Sequence, residues 1–557
     1  MKGNNAKLGD LLLYVGKITK EQLNEAISEQ KNSDKKIGEI LVEKGWVSEK
    51  DIIEVLEFQL GIPHVDLDRY LINSEVSRLI PENLARRYDL IAVDKKNDYL
   101  IVAMADPLNI FAIDDVRLTT GFNVQPVIST KKDIERAIDK YYEKERTKRV
   151  LEEFKENYIP NDETIEENQE EINSAPVVKL LNSMIAQAVN MRASDVHIEP
   201  FNDNVRVRFR IDGDLQEIMN LSRNTISAII TRIKIMGKMN IAERRIPQDG
   251  RVEINVDGRD IDLRISTLPT IYGEKIVLRI LDRGSFLFTK KDLGFTEEDF
   301  ISFENILNQP YGMILVTGPT GSGKTTTLYT ILSELNSIEK NIITVEDPVE
   351  YKFSGINQVQ VNNKAGLTFA NGLRSILRQD PDIIMLGEIR DGETAKMAVR
   401  AAITGHLVFS TLHTNDTASS ITRLVDMGIE PYLVSSAVIG IISQRLIKKL
   451  CPFCKTPYET SYREKKILGL DTEKDMVFYK PNMCNLCNKG YKGRTAVHEV
   501  MPIDEDIRRG IDRRESADYI KNLAIEKGMK TLFQNAVRLV ESGTITMEEA
   551  LKVGYTL

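Results

Sequence analysis

The chain has 557 residues, which at about 150 residues per domain corresponds to three or four domains. Lysine plus arginine number 75 and aspartate plus glutamate 83, a formal net charge of −8, with 42% hydrophobic and 28% charged residues. Those proportions exclude disorder, a collagen or a disulfide scaffold as whole-chain descriptions, and the acidic balance offers no global electrostatic footprint for nucleic acid.

In chain order, residues 1–62 contain an internal repeat. Leu8-Gly9-Asp10 opens a first copy that leads into an amphipathic helix ending at Gln30. Twenty-nine residues on, Ile37-Gly38 opens a second copy whose helix ends at Gln59. Each copy reads as a short helix, a glycine stop (Gly16, Gly45), a small turn and a longer helix. Repeats of this length stack to share a core, so a small helical docking module is expected.

Residues 63–145 alternate short strands and helices, with 99–105 as a strand and 112–119 as a helix, a small α/β module. Residues 146–174 form an acidic flexible linker: 152–171 holds nine acidic residues against one basic, a composition that cannot bury a core. Residues 175–288 begin with an amphipathic helix at 177–191. In 205–211, Arg206, Arg208 and Arg210 alternate with apolar residues, the signature of a half-buried strand. Stretches 251–256 and 260–266 flank Asp257-Gly258, a hairpin signal. In the second of these Ile261, Leu263 and Ile265 take the buried face, so Arg264 points outward.

Residues 289–557 alternate apolar strands with helices and predict a mostly parallel sheet. The longest apolar run, 433–447, is interrupted by serines, Gln444 and Arg445, and falls short of the ~18 residues that span a bilayer. The apolar stretch at 11–15 is too short for a signal-peptide core. A cytoplasmic location is expected, with any membrane role peripheral.

The chemistry concentrates in this last block. Gly318-Pro319-Thr320-Gly321-Ser322-Gly323-Lys324-Thr325 is a full GxxxxGK[ST] match between a strand-like run at 313–317 and a helix from Thr326. Glycines let backbone N–H groups close around phosphate, and the helix N-terminus adds partial positive charge. Lys324 would neutralise the β- and γ-phosphates of ATP, and the Thr325 hydroxyl would ligate Mg²⁺. A Gly-rich turn that fits by chance is the bland alternative, and the flanking strand and helix weigh against it.

Two downstream strands end in acids: 341–345 runs into Glu346-Asp347-Pro348-Val349-Glu350, and 382–386 into Gly387-Glu388-Ile389-Arg390. Carboxylates at strand C-termini lie at the crevice where open α/β sheets bind ligands. Glu388 is the candidate for Mg²⁺ or its hydration shell and Glu350 for polarising the attacking water, with Glu346 as runner-up. The strand at 405–414 ends in His413, expected near the γ-phosphate. His406 falls on the opposite face and reads as a core histidine. Transition-state cations would come from Lys324, with Arg374, Arg378 and Arg390 nearby, and from Arg210, Arg264 and Arg279 of the preceding module. A surface salt bridge is the competing reading for each arginine.

The four cysteines occur only as Cys451-Pro-Phe-Cys454 and Cys484-Asn-Leu-Cys487. Two CxxC knuckles suit a tetrahedral zinc ion, against reduced structural thiols or a redox pair.

In their order, these motifs resemble the secretion ATPase superfamily. Residues 193–200 resemble the entry to that family's N-terminal ATPase subdomain. The tetracysteine insert at 450–494 resembles the extension ATPases of type IV pili and their type II secretion relatives. The resemblance implies a multidomain α/β protein: a RecA-like P-loop ATPase domain, a PAS-like α/β subdomain before it, and the helical repeat and small α/β modules at the N-terminus. It further implies a homohexamer at the inner membrane, with ATP between the two ATPase subdomains, arginines at the positions of Arg264 and Arg279 closing on phosphate, and a membrane platform protein as partner. Nucleic acid is not the expected substrate.

The repeat resembles tandem modules that bind cyclic di-GMP. That would assign Lys7, Leu8, Gly9, Asp10, Gly16 and Gln30 of the first copy and Lys36, Ile37, Gly38, Gly45 and Gln59 of the second to the dinucleotide. The family's leading arginine is a lysine in both copies, and lysine neither stacks on guanine nor binds it bidentately. A docking module for a membrane-side partner stays open beside it. The reading is a motor for pilus extension, with a type II secretion ATPase as the close alternative. The acidic charge argues against a nucleic-acid translocase, and the intact Lys324, Thr325 and Glu388 argue against an inactive sensor.

Overall fold

The computed structural model describes residues 8–30, 37–48, 51, 55, 57, 61–67, 70, 72, 74–107, 109–139, 141–142, 175–282, 289–484 and 487–554. Lys7, Lys36, Gln59 and the linker at 146–174 lie outside them. The chain divides into two units, Met1–Leu281 and Asp282–Leu557.

In the first unit the described part of the repeat has the helices Leu8–Tyr14, Lys20–Gln30 and Ile37–Glu43, while most of the second long helix, expected to end at Gln59, lies outside the described residues. Both short helices stop identically. Gly16 N–H donates to Leu13 O at 3.1 Å and Lys17 N–H to Leu12 O at 2.9 Å, and 29 residues on, Gly45 N–H donates to Val42 O at 2.9 Å and Trp46 N–H to Leu41 O at 3.1 Å. Gly16 and Gly45 have φ of +76° and +67°, the left-handed conformation that closes a helix without a Cβ clash. Leu12, Leu41, Ile18 and Val47 then meet in one shared core.

The small α/β module is a three-stranded sheet of β1 (Leu90–Lys96), β2 (Tyr99–Met104) and β3 (Asn123–Ile128). β1 and β2 are antiparallel, while β2 and β3 are parallel. The helix Ile110–Thr120 makes the crossover.

Six strands form the next sheet in the order β6-β5-β4-β9-β8-β7. They are β4 (Ala193–Pro200), β5 (Asn204–Ile211), β6 (Asp214–Ser222), β7 (Gln248–Val256), β8 (Arg259–Thr270) and β9 (Gly273–Asp282). Val205, Val207 and Phe209 share one core with residues of the helices Ala175–Asn190 and Ile226–Met236. The intervening Arg206, Arg208 and Arg210 therefore take the other face, opposite Glu199, His197 and Asp195 of β4. Asp257 and Gly258, both at positive φ, make the expected hairpin between β7 and β8.

The second unit is built on a seven-stranded sheet ordered β12-β11-β13-β14-β10-β15-β18. The strands are β10 (Gly312–Thr317), β11 (Ile342–Glu346), β12 (Asn357–Gln360), β13 (Ile383–Leu386), β14 (Leu407–Leu412), β15 (Val438–Leu450) and β18 (Tyr491–Pro502). All neighbours are parallel except β18, which runs antiparallel to β15. Every residue of β10 is buried: Met313 and Leu315 enter one core, Ile314 and Val316 another. A strand covered on both faces reads as a continuous apolar run, which is why its sequence lacks alternation. The run at 433–447 splits into the end of helix Pro431–Ala437 and the start of β15. Between β15 and β18 a hairpin of β16 (Thr456–Glu459) and β17 (Val477–Lys480) carries the cysteine insert. No helix among the described residues is long and apolar enough to cross a membrane.

Candidate active site

β10 delivers the chain into Gly318, whose φ is +140°. A Cβ there would lie 2.4 Å from Gln444 O and 2.7 Å from Ser322 Oγ, so no side chain fits and the backbone itself forms the cradle. The helix Lys324–Leu335 starts directly from it, with Gly323 as its N-cap and no side-chain cap. Its first N–H groups are thus the ones an anion satisfies. Lys324 is buried, and its Nζ donates to Gly318 O at 2.8 Å and Pro319 O at 3.1 Å. Burial pushes its ammonium down to about 8, against the opposing pull of the Glu388 carboxylate. A cation held in that way gains from a phosphate beside it. Thr325 is exposed in the first turn.

Parallel registry of β13 with β14 brings two expected residues together. One oxygen of Glu388 pairs with Arg390, and the other lies 3.4 Å from His413 Nε2. Glu388 and the Thr325 hydroxyl are hard oxygen donors of the kind Mg²⁺ takes. His406 Nδ1 lies 2.9 Å from Ala401 O, and the residue is half-buried rather than in the core.

The two acids at and beyond the end of β11 differ sharply. Glu346 is buried and accepts from the Tyr329 hydroxyl, from Thr344 Oγ1 at 2.6 Å and from Gln358 Nε2 at 3.1 Å. Burial raises its carboxyl above the usual range, while those three donors oppose the rise. Glu350 is half-buried, and its backbone N–H donates to Tyr329 Oη at 3.2 Å. Glu346 is saturated with protein donors, which suits an anchor better than a base.

Gln444 escaped the sequence reading. It is buried on β15, donates to Ser322 O at 2.6 Å and accepts from Thr327 Oγ1 at 2.8 Å, bracing the cradle from the neighbouring strand. The available signal was an amide among the few polar residues that interrupt the apolar run at 433–447.

The arginines of the preceding sheet belong to the first unit. Arg279 Nε donates to Asp195 Oδ1 at 3.2 Å, and Arg210 Nε lies 3.7 Å from Asp195 Oδ2. Asp195, also missed, therefore holds both. Arg264 is half-buried on β8 opposite Arg251, which is itself paired bidentately with Asp262. In the second unit, Arg374 bonds Asn371 and Glu393, and Arg378 bonds Arg374 O, the surface contacts of the competing reading.

The four cysteines converge. Cys451–Cys484, Cys454–Cys487 and Cys484–Cys487 sulfurs are 3.8, 3.6 and 3.4 Å apart, and all four lie within 4.8 Å of one another. A tetrahedron with metal–sulfur bonds of ~2.3 Å has edges of about 3.8 Å, so the quartet could hold a zinc ion.

The family model "Type II/IV secretion system protein" matches residues 170–552, and the MshEN domain model matches 60–148. The type IV pilus assembly ATPase PilB of Myxococcus xanthus is 43% identical over 98% of both chains. The type II secretion system protein E of Xanthomonas campestris is 43% identical over 91% of each. The structure of the ATPase DotB from Legionella pneumophila superposes with a TM-score of 0.51 at 21% identity, covering 68% of this chain and 95% of that one, a likeness of fold. With a cradle built for phosphate, and a relative matched end to end, this chain belongs to the type II/IV secretion ATPases, the ATP-hydrolysing motors of pilus assembly and type II secretion.

Proposed function

We propose that this chain is the motor of type IV pilus extension, a homohexamer that works against a platform protein of the inner membrane to polymerise pilin. The supporting observation is the end-to-end match to a pilus assembly ATPase, which covers 98% of both chains. The type II secretion relatives align over less of this chain, 91% and 86%, and that assignment is the second reading.

In the hydrolytic step Lys324 holds the β- and γ-phosphates in the cradle and Glu350 draws the proton of the attacking water. Thr325 and Glu388 would hold Mg²⁺, which would supply charge neutralisation when ATP is bound. Arg210, Arg264 and Arg279 are the transition-state cations that the family resemblance and the sequence assign, and His413, beside Glu388, is the sensor of the terminal phosphate. Loss of the γ-phosphate removes contacts made in only one state, and that differential shifts the equilibrium between the ATPase subdomains. The cysteine quartet binds structural zinc. For residues 1–62 the resemblance of the repeat supports cyclic di-GMP as a regulator.

Deleting the gene in its host tests the assignment: surface filaments should vanish while pilin persists unassembled. Loss of exported enzymes with pili intact would transfer the chain to type II secretion. Steady-state ATPase with and without cyclic di-GMP, alongside a solution mass, tests the regulator and the hexamer.

A further inference from the structure

One hydroxyl joins the phosphate cradle to the segment of Glu350. Tyr329 follows Lys324 by five residues on the helix Lys324–Leu335. Its ring is 2% exposed and is held edge-on by Tyr351 at 6.0 Å and Phe353 at 5.0 Å between centroids. That packing leaves the hydroxyl one position. There it donates to the Glu346 carboxylate and accepts the Glu350 backbone N–H at 3.2 Å.

We infer that Tyr329 is a positioning residue for hydrolysis: its hydroxyl ties the Glu350 segment to the helix that starts at the phosphate cradle. Glu346, satisfied from three sides, is the fixed post that orients the hydroxyl so that its lone pair faces the Glu350 amide. The helix that meets phosphate at its first turn thereby sets the place of Glu350 about one and a half turns later. This rests on the reading of Glu350 as the group that activates water.

The test uses the full-length chain and steady-state ATP hydrolysis, with ADP affinity and thermal midpoint measured in parallel. Y329F removes only the oxygen. It should lower kcat about 10- to 100-fold while KM for ATP and affinity for ADP stay within twofold. E350Q should lower kcat by at least about 100-fold with binding retained, and Y329F/E350Q should be no slower than E350Q alone, because the tyrosine acts through Glu350. T344V removes a different donor to Glu346 and should keep turnover within threefold. Full turnover in Y329F, additive losses in the double variant, or an equal loss in T344V would overturn the positioning role. Normal turnover in E350Q would overturn the base assignment instead.

Discussion

Replacing Gln444 by leucine should loosen the phosphate cradle without touching a residue that meets nucleotide. The amide is the hydrogen-bond partner of Ser322 O at 2.6 Å and of Thr327 Oγ1 at 2.8 Å, both buried. The threonine hydroxyl can turn back to a carbonyl of its own helix, whereas among the described residues Gln444 is the donor to the Ser322 carbonyl. Leaving one buried carbonyl unpaired costs about 1–3 kcal/mol. The Ser322 peptide is then free to reorient, and nucleotide binding must restore it, so the penalty falls on affinity. At 1.4 kcal/mol per decade, ADP affinity should fall about 5- to 150-fold. Titration with a fluorescent ADP analogue measures it in wild type, Q444L, T327V and the double variant. T327V should cost less than Q444L, and the double variant should lose less than the two single losses combined. If Q444L binds ADP as wild type does while its thermal midpoint drops, the amide merely supports the sheet and the reasoning fails.

The zinc assignment predicts about one metal ion per purified chain by mass spectrometry. Chelation, or C484S, should expose 451–490 to proteolysis while ADP affinity changes less than threefold. Absence of metal with unchanged proteolysis would retire the site. D195A releases Arg210 and Arg279 together; if these arginines meet the transferring phosphate, kcat should drop roughly tenfold or more, with fold and ADP binding kept. Unchanged turnover would return both arginines to surface ion pairs.

What the sequence disclosed follows the range of the interactions involved. The cradle was legible because eight consecutive residues carry it, and the acids because Glu346 ends β11 while Glu350 and Glu388 lie within four residues of their strand ends. The cysteine quartet joins residues 33 apart, yet few other chemistries employ two CxxC pairs. The helix expected at 177–191 spans Ala175–Asn190, and the strand expected at 205–211 spans Asn204–Ile211, since amphipathic period fixes both. β6 was not read, because its mixed exposure gives no clean alternation. Gln444 and Asp195 stayed hidden for another reason. Their partners lie 122 and 84 residues away, and only strand order brings them together.

β15 gives the two halves of the second unit's chemistry a common axle. Gln444 stands beside the phosphate cradle on a strand backed by β18, and Cys451, seven residues later and just past the strand's end, begins the first thiol knuckle. At ~3.3 Å per residue that is about 23 Å of largely extended chain, with one irregularity in its pairing to β18 between Lys448 and Leu450. The thiol quartet and the brace of the phosphate cradle thus lie along one strand, the first at its C-terminal end and the second near its middle.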